Sequence, residues 1–240
     1  MDVSVKMGHN LFFVLTLVLS VQMYCCQVLM FGTCADVVTM KYFEIERFLG
    51  KWYEIERFPI SYEMSGKCAY KMIQQCGRRI GLKHVFINNG INYTLHVNSS
   101  YTPGDEAVFS MNENSIDPIG ISLSIISTDY SNYALVYGCK VNEVLDLKYV
   151  VAWILSRNTT LEAEILERTR MELNSLPFGS IVYLESVDHQ ECSNHWSADI
   201  YAVDVTSANK DPENYLYFHF WVSLISSAKY LTSSYIPCDY

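Results

Sequence analysis

The sequence lacks the patterns by which most metal, nucleotide and catalytic sites are recognised. Its eight cysteines include no C-x-x-C pair, which argues against a zinc site. The histidines, which show no metal-ligand spacing, are His9, His84, His96, His189, His195 and His219. No Ser-His-Asp order stands out, and the 11 glycines form no evident phosphate-cradling loop. We therefore predict a protein that is not an enzyme, has no metal site and requires no cofactor.

Basic residues are also scarce. The chain has 17 lysines and arginines against 26 aspartates and glutamates, a formal net charge of -9 at pH 7. An acidic chain is poorly suited to bind a phosphate backbone or an anionic membrane surface. We accordingly predict no nucleic-acid partner. The length suits one globular domain with a sizeable core, and the 18 tyrosines favour strands.

No apolar run near the N-terminus is long enough to span a bilayer comfortably, which takes about 20 residues. Residues 11–19 form a shorter run that follows Lys6 and His9. A charged start before a short apolar core is typical of a secretory signal peptide. We predict a signal peptide at 1–26, with an uncleaved signal anchor as the alternative, and therefore a secreted, extracellular protein.

Six cysteines remain after the predicted signal peptide, and three N-glycosylation sequons begin at Asn92, Asn98 and Asn158. An even number of cysteines in a secreted chain indicates disulfides, although spacing alone does not choose among the possible pairings. These cysteines are Cys34, Cys68, Cys76, Cys139, Cys192 and Cys238. Both patterns agree with an extracellular glycoprotein.

Short apolar runs separated by turn residues follow Gly50 along most of the chain. They predict strands at 52–58, 68–75, 82–87, 91–97, 107–111, 121–127, 133–139 and 149–155. The separating segments contain turn formers, as in Asn88-Asn89-Gly90 and Pro103-Gly104-Asp105. Many short strands at regular spacing indicate an all-β sandwich or barrel.

One later segment has helical periodicity. Residues 159–173 place Leu161, Ile165, Leu166 and Leu173 on one apolar stripe. Thr159 or Thr160 is the expected N-cap, because a hydroxyl can accept a hydrogen bond from the first turn. We predict one helix here, followed by a last strand at 181–187.

The segment after residue 192 does not fit the strand pattern. It contains Trp196, an aromatic run at 215–222 and Cys238 close to the last residue. The sequence leaves three alternatives open: an extra surface strand, an atypical extension, or a lipid-anchor signal that begins near Ser207. We therefore divide the chain into a signal peptide at 1–26, a domain at 27–192 and an extension at 193–240, and expect membrane contact only through the extension.

Four sequence stretches in order resemble the lipocalin family, in particular the group around apolipoprotein D and the insect bilin-binding proteins. They are residues 48–56, which contain Gly50-Lys51-Trp52, and residues 66–68, 127–139 and 152–158. The resemblance covers about residues 34 to 192. It implies an eight-stranded antiparallel up-and-down barrel with one C-terminal α-helix packed outside, a fold that can hold one small ligand.

The resemblance also implies which residues close the barrel at one end. In this reading the Arg157 guanidinium stacks on the ring of Trp52, a cation–π contact worth about 0.5–2 kcal/mol. The residues expected at this closed end are Gly50, Trp52, Thr128, Asp129, Tyr130 and Arg157. The resemblance further implies disulfides Cys34–Cys139 and Cys68–Cys192, and leaves Cys76 either paired with Cys238 or free.

Strand alternation indicates two residues that face a ligand. Trp153 and Leu155 lie on the same face of their strand as Arg157, which must reach the closed end, so both are expected to point into the barrel. Pockets for small molecules are lined by such apolar and aromatic side chains. Four further residues are weaker candidates because the register of their strands is uncertain: Tyr70, Met72, Phe86 and Phe109.

Together these features predict a secreted carrier that binds a small hydrophobic ligand without chemistry. The resemblance implies a bilin, a retinoid, a steroid or a fatty acid as the bound ligand. One alternative is a lipid-anchored or extracellular glycoprotein that acts through protein contacts. A second is a lipid isomerase with Cys76 as nucleophile, which would need an activated thiolate.

Overall fold

Strands dominate the computed structural model, which describes residues 28–63, 66–76, 79–102, 107–143, 145–194 and 196–203. The predicted signal peptide, the turn at Gly104, Cys238 and most of the C-terminal extension lie outside these ranges. Within them the strands are β1 (Val28–Phe31), β2 (Gly50–Arg57), β3 (Lys67–Cys76), β4 (Arg79–Asn88), β5 (Ile91–Ser100), β6 (Val108–Met111), β7 (Leu123–Thr128), β8 (Tyr133–Asn142), β9 (Leu147–Ser156), β10 (Glu185–Ser186) and β11 (Trp196–Tyr201). The helices are α1 (Ile45–Phe48) and α2 (Ala163–Ser175).

The strands β2 to β9 form a closed antiparallel barrel. Each pairs with the next in sequence, and β9 returns to pair with β2, with Tyr53 opposite Ser156 and Glu54 opposite Leu155. Closure leaves these eight strands without a continuous unpaired edge, which is how barrels avoid edge-to-edge aggregation. The predicted all-β, eight-stranded up-and-down barrel is confirmed.

Alternation along each strand separates an inner core from an outer one. On β9, Trp153 and Leu155 belong to the inner apolar cluster, whereas Ala152 and Ile154 belong to the outer cluster that also contains Leu173 of α2. Successive side chains of a strand point to opposite faces, so one β-strand serves both cores. The position of α2 outside the barrel confirms the predicted external helix.

Two local predictions around α2 are wrong. The helix begins at Ala163 with Glu162 as N-cap, so neither Thr159 nor Thr160 caps it. The predicted strand at 181–187 is instead a 3₁₀ turn, Ile181–Tyr183, followed by the two-residue strand β10. The apolar run had indicated a strand, but only Glu185 and Ser186 form a strand, paired with the last residues of β2.

The start of the C-terminal extension adds a strand to the barrel wall. β11 runs parallel to β5, from Trp196 opposite Ile91 to Tyr201 opposite His96. β5 has room for it because β6 pairs only with the far end of β5, at Ser99 and Ser100. Of the alternatives for the extension, the extra surface strand therefore holds for residues 196–201. None of the helices in the described ranges is long and apolar enough to cross a membrane.

Two disulfides join distant parts of the described chain. Cys34 is bonded to Cys139 and Cys68 to Cys192, across sequence separations of 105 and 124 residues. Both are the pairs that the resemblance implied. Cys76 is also disulfide-bonded, so it is not a free thiol.

Removal of the Cys34–Cys139 disulfide should destabilise the barrel without unfolding it. The double change Cys34→Ser and Cys139→Ser is expected to lower the free energy of unfolding by about 2–4 kcal/mol, because the bond restricts a long loop in the unfolded chain. Urea unfolding followed by tryptophan fluorescence measures this loss. The control is Ser193→Ala, at an exposed residue, which should change the free energy of unfolding by no more than about 0.5 kcal/mol. An equally small effect of the double change would contradict the prediction.

Candidate functional site

One end of the barrel is closed by Trp52 and Arg157. The Trp52 ring is fully buried, and the guanidinium carbon of Arg157 lies 3.7 Å from its centroid. The same guanidinium donates hydrogen bonds to the backbone oxygens of Arg47, Lys51 and Tyr130 at 2.8, 2.9 and 3.0 Å. Arg157 thus holds three separate segments of backbone against the indole.

The turn between β7 and β8 supports this closed end. The Asp129 carboxylate accepts hydrogen bonds from the backbone N–H groups of Ser131, Asn132 and Tyr133. Burial alone would raise the pKa of Asp129, but a hydrogen bond from the Asn132 side-chain amide, together with these backbone bonds, holds it below its usual value. Tyr130 has a φ of 66°, and its N–H donates to the Thr128 hydroxyl oxygen. The turn thereby presents the Tyr130 carbonyl to Arg157.

Gly50 completes the closed end. Its φ of +96° lies in a region that other residues rarely adopt, and a Cβ there would stand 3.5 Å from the Arg157 guanidinium. The structure therefore brings together all six residues that were expected to close the barrel.

Four of the six residues proposed to face a ligand lie inside the barrel. Trp153 and Leu155 are 1% exposed and share the inner cluster with Phe109, which packs against Phe48 towards the closed end. Phe86 is buried in a separate small cluster with Ala69 and Leu95. Apolar and aromatic side chains thus form much of the inner wall.

Tyr70 and Met72 do not join them. The register of β3 places Tyr70 opposite Tyr53, on the outer side of the barrel, whereas Lys71 is opposite Trp52, on the inner side. Tyr70 packs against Tyr53 and lies under the ammonium of Lys51. These two candidates depended on an uncertain register and are wrong, because the structure turns the other set of alternate residues inward, including the buried Lys71.

The interior also contains a cluster of charged and polar side chains, none of which was among the predicted site residues. We call Glu54, Arg57, Glu63, Lys71 and His84 the inner charged cluster; each is 5% exposed or less. The Lys71 ammonium lies 2.6 Å from Glu54 Oε1, 2.7 Å from His84 Nδ1 and 3.3 Å from Glu63 Oε1. Arg57 Nη1 lies 2.9 Å from Glu54 Oε2 and 3.4 Å from Glu63 Oε2.

The sequence did contain one signal for this cluster. Glu54 is two residues after Trp52, Lys71 two before Ile73 and His84 two after Leu82, so each shares a strand face with a residue of the inner apolar cluster. Charged residues are normally assigned to the solvent face, since an unpaired buried charge is costly. Only the pairing of strands β2, β3 and β4 shows that these charges meet one another.

The inner charged cluster lies between the barrel and the loop that joins β2 to β3. This loop is at the opposite end of the barrel from Trp52, because β2 begins at the closed end. Arg57 Nη2 donates to the backbone oxygens of Glu63 and Gly66 at 2.7 and 3.2 Å. Arg57 therefore fastens the loop over the second end of the barrel.

The electrostatics of Glu63 follow from these neighbours. Burial alone would raise the pKa of the Glu63 carboxyl, but Lys71, His84 and Arg57 hold it well below its usual range. Burial and the nearby Glu63 carboxylate raise the pKa of Tyr62, on the same loop, well above its usual value. Two buried atoms of this region, Glu63 Oε2 and Trp153 Nε1, make no hydrogen bond.

Three members of the cluster have the geometry of metal ligands. One donor atom from each of Glu54, Glu63 and His84 lies within 4.8 Å of the others. The Lys71 ammonium, however, is already 3.3 Å or less from each of the three residues. A cationic side chain occupies the position that a metal ion would take, so we assign no metal to the site.

A closed antiparallel barrel, sealed at one end by a tryptophan and covered at the other by a loop, is the architecture of a binding protein whose site is the barrel interior. The model of the lipocalin / cytosolic fatty-acid binding protein family matches residues 49–189. The chain belongs to this family.

Relatives and solved structures agree with this assignment. Insecticyanin-A of Manduca sexta is 27% identical over 142 residues, which cover 57% of this chain and 75% of the relative. Apolipoprotein D of Cavia porcellus is 31% identical over 138 residues, or 56% of this chain and 71% of the relative. The crystal structure of Manduca sexta insecticyanin has a TM-score of 0.60 at 22% identity and covers 72% of this chain and 96% of its own.

The family assignment also bears on catalysis. The family consists of binding and transport proteins for small hydrophobic molecules, and this chain is a binding protein and not an enzyme. The isomerase alternative required a Cys76 thiolate. Because Cys76 is disulfide-bonded, it has no thiol to activate, and that alternative is wrong.

Proposed function

We propose that the protein is a secreted carrier that holds one bilin, retinoid, steroid or fatty acid inside the barrel. The observation that carries the proposal is the closed barrel, with Trp153 and Leu155 on an inner wall of apolar and aromatic side chains. Such a wall suits a planar or elongated hydrophobic molecule.

Entry of the ligand requires movement at the loop between β2 and β3. The other end is sealed by Trp52 beneath Arg157. Inner side chains such as Trp153, Leu155 and Lys71 are 2% exposed or less, so a ligand must displace part of the interior. The loop is fastened chiefly through Arg57 and Glu63, whose contacts must open for the ligand to pass.

Secretion is supported by independent features. The described disulfides are typical of oxidising compartments, and the N-terminal apolar run resembles a signal peptide. The sequon asparagine Asn158 is exposed, and Asn92 and Asn98 are half-buried on a strand whose inner positions are Leu95 and Val97. We propose glycosylation at the three asparagines and membrane contact, if any, through residues 193–240.

Ligand titration tests the carrier. Biliverdin, retinoic acid, a steroid or a fatty acid is expected to quench tryptophan emission at micromolar concentration. Trp153→Ala should weaken the binding of the active ligand about 10-fold, because an aromatic residue at the centre of a site contributes on the order of 1–2 kcal/mol.

The matched control is Trp196→Ala, since Trp196 is 74% exposed on β11 and distant from the inner wall. This variant should bind with unchanged affinity. Absence of binding by every ligand class would reject the carrier, and equal weakening by both substitutions would reject the assigned site.

A further inference from the structure

Glu63 is a loop residue whose carboxylate lies inside the barrel among basic side chains. Its Oε1 is 2.6 Å from His84 Nδ1 and 3.3 Å from Lys71 Nζ, and its Oε2 is 3.4 Å from Arg57 Nη1. The side chain is 1% exposed. One carboxylate from the covering loop therefore contacts basic groups of three different strands, β2, β3 and β4.

The charge balance of the inner charged cluster depends on this carboxylate. Without Glu63, the carboxylate of Glu54 would be the one acidic group of the described residues within ion-pair distance of Arg57 and Lys71, and His84 would lose its carboxylate partner. Buried charges must be paired, because their removal from water is otherwise uncompensated. When the loop opens for a ligand, a basic site in need of one anion is therefore exposed inside the barrel.

A second observation shows that Glu63 fills this site incompletely. Trp153 Nε1 is a buried donor without an acceptor, and the Trp153 ring lies 4.2 Å from the Lys71 ammonium. Glu63 Oε2 accepts no hydrogen bond. A carboxylate that is not tethered to the loop has two oxygens with which to accept bonds from both Lys71 and Trp153.

We propose that the inner charged cluster is the binding site for the carboxylate of an apolar acid, and that Glu63 is its internal competitor. The proposal rests on the carrier function and narrows the ligand to a molecule with an acid at one end, such as a fatty acid or retinoic acid. The acid replaces Glu63 beside Lys71 and Arg57 as the loop moves away. The hydrocarbon part then lies along the inner wall towards Trp52.

A matched pair of ligands tests this in the unaltered protein. The fluorescent polyene cis-parinaric acid and its methyl ester have the same hydrocarbon chain, but only the acid is an anion. We expect the acid to bind about 10-fold more tightly, because hydrogen bonds to a charged group are stronger than those to a neutral one. The emission of the polyene itself reports binding, so no protein tryptophan is needed.

The outcomes separate the two proposals. Equal affinity for acid and ester overturns the carboxylate site and leaves the carrier standing. Absence of binding by both, together with failure of the other hydrophobic ligands, overturns the carrier as well. Preference for the acid supports both.

Variants then assign the preference to residues. Lys71→Met should abolish the acid-over-ester preference, and Trp153→Phe, which keeps the ring and removes the N–H donor, should reduce it about 3-fold. Glu63→Gln should tighten binding of the acid about 10-fold, because the competing charge is gone. It should leave the affinity for the ester unchanged, because the bound ester does not take the place of the Glu63 carboxylate. Glu113→Gln, at an exposed carboxylate paired with Lys140, is the control and should change neither affinity.

Near-ultraviolet circular dichroism verifies that each variant is folded. If Glu63→Gln tightens acid and ester equally, the loop blocks the barrel by its bulk alone, and the role of Glu63 as competitor is overturned. The acid and ester comparison in the unaltered protein stays decisive even where a variant does not fold.

Discussion

Lys71→Met is expected to lower the free energy of unfolding by about 3–5 kcal/mol near neutral pH, a loss typical of breaking a buried ion pair. The methionine has nearly the same volume but leaves Glu54 and Glu63, each 1% exposed, without the ammonium between them. Urea unfolding of the two proteins measures the difference. Lys140→Met is the matched control, because that lysine is 37% exposed and pairs with exposed Glu113, and it should cost at most about 1 kcal/mol.

The effect of Lys71→Met should depend on pH in a defined direction. The pKa of Glu63 is depressed in the folded protein, so its ionised form contributes stability above the pKa of the unfolded chain, and this contribution is lost as the pH falls through the folded pKa. Without Lys71 that depression weakens. The difference in unfolding free energy between the two proteins should therefore shrink as the pH falls below the usual pKa of a glutamate, towards the depressed pKa of Glu63 in the folded protein. A difference that stays constant over this range would contradict the assigned role of the ion pair.

Trp52→Ala is expected to cost about 3–5 kcal/mol of folding free energy, the range for truncation of a fully buried aromatic residue. The change leaves a cavity at the closed end and removes the surface on which Arg157 stacks. The indole N–H bond to the backbone oxygen of Phe48, at 2.8 Å, is lost as well. Thermal and urea unfolding measure the loss.

Trp196→Ala is the control for this prediction, because the same chemical change at a side chain 74% exposed should alter stability by no more than about 0.5 kcal/mol. Trp52→Phe combined with Arg157→Lys in a double-mutant cycle isolates the stacking contact, with an expected coupling of about 0.5–2 kcal/mol. A Trp52→Ala protein as stable as the Trp196→Ala protein would show that Trp52 does not seal the barrel.

The closed end could be predicted from the sequence because its residues lie in short local motifs. Gly50 and Trp52 begin one strand, Thr128-Asp129-Tyr130 forms a turn, and Arg157 follows the last barrel strand. Each motif has one conformation that its own residues favour, such as the Asp129 carboxylate accepting the N–H groups of its turn. The resemblance then supplied their common location, and the structure agrees with it.

The opposite end of the barrel, which the loop between β2 and β3 covers, could not be predicted in the same way. Tyr70 and Met72 were weaker ligand-facing candidates because the register of their strand was uncertain, and the register of β3 turns Lys71 inward instead. The segment at 181–187 had the composition of a strand but has a pairing partner for only two residues. In both cases the local residue pattern was not sufficient. Which face of a strand points inward, and which strand it pairs with, depended on other segments of the chain.

The sequence by itself determined an all-β sandwich or barrel, because alternation and turn residues act within short stretches of chain. The resemblance carried by its local motifs implied the closed barrel with a tryptophan under an arginine at one end. Only the tertiary structure decided what lies at the other end. There Glu54, Lys71 and His84 come from three strands and Glu63 from a loop, and their burial is tolerable only once all four meet. The energy of a buried charge is a property of its partners, and those partners are set by register and by the folding back of a loop.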